Sequence, residues 1–291
     1  NPRWNFGFTY RGIFVDKQIQ RKGKNDRITR SNYYDVFTAF QNKDRTYRLF
    51  MNFRRALHRV NEFGGVQLDE GSTEIADYFD ENARPWLTTA SSEDLRTNFH
   101  LYHQYSLGSG FQLYHTMDRY KQKNKFLDIS NAAQDPFYDF INLNEGDSAR
   151  DFSTLRTFRN EAGIKGNLLK LFYNGYVALR HYNMSYNHLP VDTLNLLEKT
   201  YRGDELYLGG RMSLALDSLV QVDGWAEWMP EDEGTYRIEG SIRSKWFQAT
   251  ARQMSYRPGF ITQAYRGSHD YWDNYPAGQV FENTESSQLN G

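Results

Sequence analysis

The fold is indicated by two alternating segments on either side of a short turn, FHLYHQYSLGSGFQLYHTMD (residues 99–118). In the first segment Phe99 and Leu101 share one face with other apolar residues, and in the second Leu113 does the same. Successive side chains of a β-strand point to opposite faces, so a period of two predicts strands. Residues 108–110, Gly-Ser-Gly, suit a tight turn. The stretch therefore predicts a hairpin with one apolar face and one polar face.

The same alternation recurs in eleven segments, and the gaps between them are by turns short and long. The short gaps are Asn42-Lys43-Asp44, Gly108-Ser109-Gly110, Gly166-Asn167, Asp217-Ser218 and Ser244-Lys245. The long gaps include 16–31, 59–95, 123–153 and 187–204. Bacterial outer-membrane barrels have short periplasmic turns and longer outer loops. The pattern predicts an all-β chain that forms an antiparallel transmembrane β-barrel, with residues 1–291 as one barrel domain or a large part of one.

Composition narrows the classes of protein. The 291 residues carry a formal net charge of -1 and no cysteine. No block of Lys and Arg suggests a nucleic-acid-binding arm, and the absence of cysteine excludes disulfides and thiolate metal sites. No run of about 18 apolar residues predicts a transmembrane helix. The abundant Tyr and Phe suit strands that face lipid on one side, although a soluble glycan-binding β-sandwich would also accommodate them.

The polar faces of the segments carry charges of both signs, and these residues are the candidate pore lining. They are Arg11, Arg48, Arg54, Arg159, Glu161, Lys165, Arg180, Arg211, Asp223, Glu227, Arg237, Glu239, Arg243 and Arg252. Charges on many strands need water or partners, because burial without either costs several kcal/mol per ion. A water-filled barrel interior meets that need, and so would the exposed face of a soluble sandwich. Cations outnumber carboxylates in this set, which predicts a mild preference for anionic solutes.

Catalytic and metal-binding patterns are weak in this sequence. His100, His103 and His115 fall near one hairpin, but the first two should point to opposite faces of their strand. The acidic stretch 69–81 lacks the spacing of a calcium loop and suits a solvated loop. Asp223 and the nearby Glu227 fit charge neutralisation in a pore wall better than acid–base catalysis. We predict no cofactor, no metal and no enzymatic activity.

Several stretches resemble the putative porin family of Bacteroidota outer membranes. They are NPRWNFG (1–7), DLRTNFHLYHQY (94–105), NEAGIKG (160–166) and PGFITQAYRGSH (258–269). The resemblance implies an outer-membrane barrel longer than this chain, with a transport or scaffold role. It implies no active-site residues that could be carried over to this sequence.

Eleven is an odd number of strands, whereas bacterial barrels close with an even number. We therefore expect an interior piece of a larger barrel, unless a strand near 243–246 is miscounted. The predicted function is a porin-like channel for small polar solutes in the bacterial outer membrane. The alternatives are a structural or scaffold subunit of an outer-membrane complex, or the soluble glycan-binding sandwich. Expected partners are the lipid bilayer, lipopolysaccharide and other outer-membrane or surface proteins, without nucleic acid.

Overall fold

A computed structural model describes residues 3–16, 27–68, 84–129, 137–138, 148–186, 200–217, 219–231, 234–274 and 281–291. The acidic stretch 69–81 lies outside these ranges. Almost every element in them is a β-strand, and the one helix, α1 (Phe260–Gln263), has four residues. Within the described ranges no helix has the length and apolar character needed to cross a membrane.

Twelve strands form a single antiparallel sheet in the described ranges. In chain order they are β1 (Trp4–Asp16), β2 (Arg27–Gln41), β3 (Tyr47–Asn61), β6 (Ser91–Ser106), β7 (Gln112–Asp128), β8 (Ala149–Leu168), β9 (Leu171–Tyr186), β10 (Thr200–Asp217), β11 (Val220–Trp228), β12 (Tyr236–Ser244), β13 (Gln248–Tyr256) and β16 (Thr284–Asn290). Each of these strands pairs with the next one in this order. Two small ladders lie apart from the sheet: β4 (Val66–Gln67) with β5 (Arg84–Pro85), and β14 (Ala264–Arg266) with β15 (Tyr271–Asp273).

The sheet has one strand more than the sequence predicted. The extra strand is β16, which pairs with β13 from Thr284 to Asn290 and lies outside the eleven predicted segments. Glu285 and Ser287 interrupt any apolar alternation in this segment. The segment becomes a strand because its backbone completes a ladder with β13, and a ladder does not depend on side-chain pattern.

Strand boundaries also differ from the prediction. The first strand of the predicted hairpin 99–118 begins already at Ser91, and its second strand continues to Asp128. The extra residues lie at the end of the sheet where the long gaps connect strands, called here the long-loop end. Alternation of apolar and polar residues weakens there, so the sequence pattern ends before the hydrogen-bonded ladder does.

One short turn is also displaced from its predicted position. Gly166 and Asn167 lie within β8, and the turn is formed by Leu169 and Lys170, with Leu169 at φ 57°. Gly166 is needed for close packing, since a Cβ there would lie 2.1 Å from the carbonyl oxygen of Gly110. The end of the sheet that carries these short connections is called the short-turn end.

The two faces of the sheet are reversed relative to a soluble protein. Phe6 and Leu179 are 70% and 57% exposed, whereas the inward-facing amides of Asn52 and Gln104 are each only 6% exposed. A water-soluble sheet buries its apolar face and exposes its polar face. Exposed apolar residues around buried polar ones require lipid on the outside of the sheet, as in a membrane barrel.

Candidate functional site

The fourteen predicted pore-lining residues all lie on one face of the sheet. Directly paired residues of antiparallel strands share a face, and the register connects Tyr114 to Gly163, Tyr176, Gly209 and then Glu227 across five strands. Within each strand, every second residue shares the face of the paired position. By this rule all fourteen residues, from Arg11 on β1 to Arg252 on β13, lie on the same face as Tyr114. This polar surface is called the inner face. Its role as a pore lining remains a prediction.

Arg159 lies at the centre of the charged network on this face. Its guanidinium contacts the carboxylates of Glu161 at 3.1 Å and of Glu227 at 2.6 Å. The hydroxyl of Tyr114 donates to Glu161 at 2.9 Å, and that of Tyr176 donates to Glu227 at 2.8 Å. Each carboxylate therefore accepts hydrogen bonds from both a cation and a phenol, which keeps its position fixed.

A second ion pair lies nearer the long-loop end. Arg180 donates to Glu205 at 2.5 Å, and the hydroxyl of Tyr207 donates to the same carboxylate at 2.7 Å. The Tyr207 ring also lies against both Arg159 and Arg180, 5.1 and 5.6 Å from its centroid. Since a cation is attracted to the face of an aromatic ring, Tyr207 joins the two ion pairs into one network.

A third group of charges lies around a concavity of 380 Å³, which is lined by strands β7 to β12 and includes Glu161 and Tyr176 of the first network. Glu239 pairs with Arg252 at 2.7 Å and with Arg237 at 3.3 Å, while Arg211 approaches Asp223 at 3.5 Å. Arg237 is also stacked 4.3 Å from the Trp225 ring. The concavity thus exposes cations, carboxylates and an aromatic ring to one space.

Other members of the predicted set are not brought into these networks. Arg11, Arg48 and Arg243 form no ion pair with any residue in the described ranges. Lys165 donates to the Tyr102 hydroxyl at 2.5 Å, and Arg54 pairs with Asp35 at 2.8 Å. The inner face therefore combines paired charges with cations that form no ion pair within the described part of the chain.

Sequence reasoning missed several inner-face residues. The paired carboxylates Asp35 and Glu205 were absent from the predicted set, as were the hydroxyl donors Tyr114, Tyr176 and Tyr207. Glu205 lies on the same face of β10 as Tyr207 and Arg211. Three steps of two residues from Arg211 toward the start of the strand would have found it. Asp94, Asp118 and Arg96 also lie on the inner face and were also missed. The charged residues that were missed therefore include more carboxylates than cations. The positive excess is therefore smaller than the fourteen residues alone indicate.

Glycines on the inner face create space for the tyrosines. A Cβ on Gly163 would lie 2.6 Å from the Tyr114 ring, and one on Gly209 would lie 2.3 Å from the Tyr176 ring. In each case the glycine is the direct cross-strand partner of the tyrosine. The rings lie flat across the neighbouring strand, which points their hydroxyls at the carboxylates of the network.

The predicted orientations of the histidines agree with the register. His100 lies on the inner face and contacts Asp118 at 2.7 Å, whereas His103 lies on the outer face beside His115 at 3.2 Å. The three imidazoles are therefore divided between two sides of the sheet.

A segment spanning residues 258–273 packs onto the inner face at the long-loop end. Tyr186 donates its hydroxyl hydrogen to the carbonyl of Ala264 at 2.6 Å. Asp151 accepts hydrogen bonds from both the backbone N–H and the hydroxyl of Ser268, at 2.7 and 2.6 Å. Burial raises the pKa of Tyr265 in this segment to about 12. The segment, called the mouth segment, covers part of the inner face with a packed apolar cluster.

Solved structures with similar folds are outer-membrane proteins. BauA, the ferric preacinetobactin receptor from Acinetobacter baumannii, is 12% identical with a TM-score of 0.52. The match covers 98% of this chain and 46% of that one. The FrpB iron transporter from Neisseria meningitidis is 10% identical with a TM-score of 0.55, and the match covers 88% of this chain and 42% of the other. The chain spans less than half the length of either structure, and the likeness shows the fold alone.

No curated protein sequence matches the chain. The family model described as putative porin matches residues 1–291. The outward apolar face, the polar inner face and the similar outer-membrane barrels agree with that match, which excludes the soluble sandwich. The chain belongs to the putative porin family and forms an antiparallel β-barrel fold of the bacterial outer membrane.

Proposed function

We propose that the barrel to which this chain contributes passes small polar solutes across the outer membrane along the charged inner face. The observation that carries the proposal is the concavity lined by strands β7 to β12, where Arg211, Asp223, Arg237 and Glu239 face one polar space. Side chains of this kind replace the hydration shell of a passing solute, which lowers the free energy of its transfer.

The arrangement favours solutes that carry both polar groups and charge. Paired cations and carboxylates present both signs within a few ångströms, as the contacts of Glu239 with Arg237 and Arg252 illustrate. A zwitterion or a polyhydroxylated acid could contact both signs at once. Arg11, Arg48 and Arg243, which form no ion pair among the residues that the structure describes, add a mild preference for anions.

A scaffold role is the second candidate, and the mouth segment favours it. Asp151 holds Ser268 by two hydrogen bonds, and Tyr186 holds Ala264, so the segment is anchored over the inner face. A barrel closed by such a segment could serve as a structural subunit for other outer-membrane or surface proteins. Neither role needs a catalytic group, and the absence of enzymatic activity remains a prediction.

Conductance separates the two candidates. Full-length protein reconstituted into planar bilayers should open discrete conductance steps, with a reversal potential in a salt gradient that shows weak anion preference. Strong cation selectivity would contradict the proposed use of the inner face. Absence of conductance, together with stable partners that remain bound through purification, would favour the scaffold role instead.

A further inference from the structure

The outer face carries a cluster of cations that the inner-face network does not use. Arg119 and Lys121 lie on β7, and Arg156 lies on β8 directly opposite Lys121. Arg119 and Lys121 are an odd number of residues from the inner-face residue Tyr114 on the same strand. Arg156 is an odd number of residues from Gly163, the partner of Tyr114. All three cations therefore lie on the outer face. The three residues are called the outer basic cluster.

The outer basic cluster lies where the apolar part of the outer face ends. Along β7 from the short-turn end, the outward residues are Leu113, His115 and Met117, followed by Arg119 and Lys121. Along β8 they are Ile164, Ala162, Asn160 and Phe158, followed by Arg156. The distance from Gln112 to Lys121 is about 30 Å along the strand, at about 3.3 Å per residue, which is a height of about 21–24 Å for a strand tilted by about 35–45°. For a tilted strand this places the cluster near the upper boundary of a lipid band about 25 Å tall.

The cluster is unfavourable for the fold by itself. Like charges directly opposite each other on paired strands destabilise a sheet, and Lys121 faces Arg156 in this way. Within the described ranges none of the three cations forms an ion pair or a hydrogen bond through its side chain. The nearest outward carboxylates are engaged or further away, since Asp204 contacts His181 at 2.8 Å and Glu93 lies opposite Lys125. An external anion would remove this repulsion.

Neighbouring outward residues extend the positive surface. Arg55 on β3 lies opposite Thr97, which in turn lies opposite Lys121, so it is in the same row two strands away. Lys123 follows Lys121 on the same face, with its ammonium 5.3 Å from the Phe152 ring. Phe158 lies just below Arg156 and is 37% exposed, which gives the acyl region of a lipid an aromatic contact.

We propose that the outer basic cluster binds the phosphate groups of a phosphorylated glycolipid in the outer leaflet. The long-loop end faces outward in an outer-membrane barrel, so the cations lie at the height of that leaflet's headgroups. Arginine binds phosphate through paired N–H donors, and lysine adds a compact charge. The apolar residues below, such as Met117 and Phe158, contact the acyl chains of the same molecule. This inference depends on the membrane position and not on the proposed transport.

The test compares lipid binding by full-length protein in detergent, measured by native mass spectrometry. The probes are bisphosphorylated lipid A, the same lipid without phosphates, phosphatidylglycerol and inorganic phosphate. The triple variant Arg119→Gln, Lys121→Gln and Arg156→Gln should bind bisphosphorylated lipid A at least about tenfold more weakly, since each basic residue at an anionic lipid surface contributes several-fold. The matched control, Lys43→Gln with Arg45→Gln and Lys245→Gln, removes the same charge at the short-turn end and should stay within about twofold.

The other probes decide the nature of the ligand. Lipid A without phosphates should bind as weakly to the wild type as bisphosphorylated lipid A binds to the triple variant. Equal binding of the two lipids by the wild type would overturn the proposal, and so would unchanged binding by the triple variant. The site would be a general anion surface, not a glycolipid site, if the triple variant lost phosphatidylglycerol binding to the same extent as lipid A binding. Full displacement of lipid A from the wild type by millimolar inorganic phosphate would have the same meaning. If the triple variant does not fold, as judged by heat-modifiable gel migration, the wild-type comparison and the single variant Lys121→Gln decide the question.

Discussion

Arg159 on β8 reaches across two intervening strands to contact Glu227 on β11 at 2.6 Å. In a flat sheet these strands would be about 14 Å apart, at about 4.8 Å per strand. Two long side chains can meet over that distance only where the sheet curves toward its inner face. The contact therefore reports both the curvature of the barrel wall and the crowding of its interior.

Removal of this central cation should destabilise the barrel. Arg159→Met would leave Glu161 and Glu227 without their cation, and both side chains are largely buried, at 21% and 17% exposed. Because breaking a buried ion pair costs about 3–5 kcal/mol and this one is partly solvated, we expect a loss of about 2 kcal/mol in the free energy of unfolding. Urea titration with heat-modifiable gel migration measures it. Arg48→Met removes an inner-face cation outside the ion pairs and is the control, so an equal loss in both variants would contradict the assignment.

The glycine beside Tyr176 should be intolerant of a side chain. Gly209→Ala would place a Cβ 2.3 Å from the Tyr176 ring, which must then move away from Glu227. We expect destabilisation of about 1–3 kcal/mol from overpacking. Gly224→Ala is the matched control, because nothing lies within 4 Å of a Cβ there. Comparable unfolding midpoints for the two variants would show that the ring is not held as described.

One carboxylate, that of Asp151, contributes two of the hydrogen bonds that anchor the mouth segment. Asp151→Ala removes the acceptor for both the N–H and the hydroxyl of Ser268. Hydrogen bonds to a charged acceptor contribute about 1.5–3 kcal/mol each, so cleavage after Arg266 by trypsin should accelerate by at least about tenfold. The control is Asp204→Ala, which removes an exposed outer-face carboxylate at the same end. Equal cleavage rates in wild type and Asp151→Ala would rule out this anchor.

The sequence predicted those features that depend on local alternation. The hairpin 99–118, the turn at Gly108–Gly110 and the common face of the fourteen charges all follow from a period of two within single strands. Arg159 and Glu227 are 68 residues apart, and their contact depends on the registers of four strands, which no local pattern encodes. The place of Gly166 beside Gly110 and the pairing of β16 with β13 depend in the same way on neighbours distant in sequence.

The central claim, that the inner face lines a path for solutes and the outer face contacts lipid, is tested most directly by paired cysteine substitutions. Arg211 and Met212 are consecutive on β10, and they lie on the inner and outer faces respectively. The 291 residues contain no cysteine, so each substitution introduces a single thiol into this part of the protein. A charged, membrane-impermeant methanethiosulfonate reagent should modify Arg211→Cys and reduce the conductance of the full-length protein, while Met212→Cys should remain unmodified. Modification of Met212→Cys with no effect at Arg211→Cys would contradict the account.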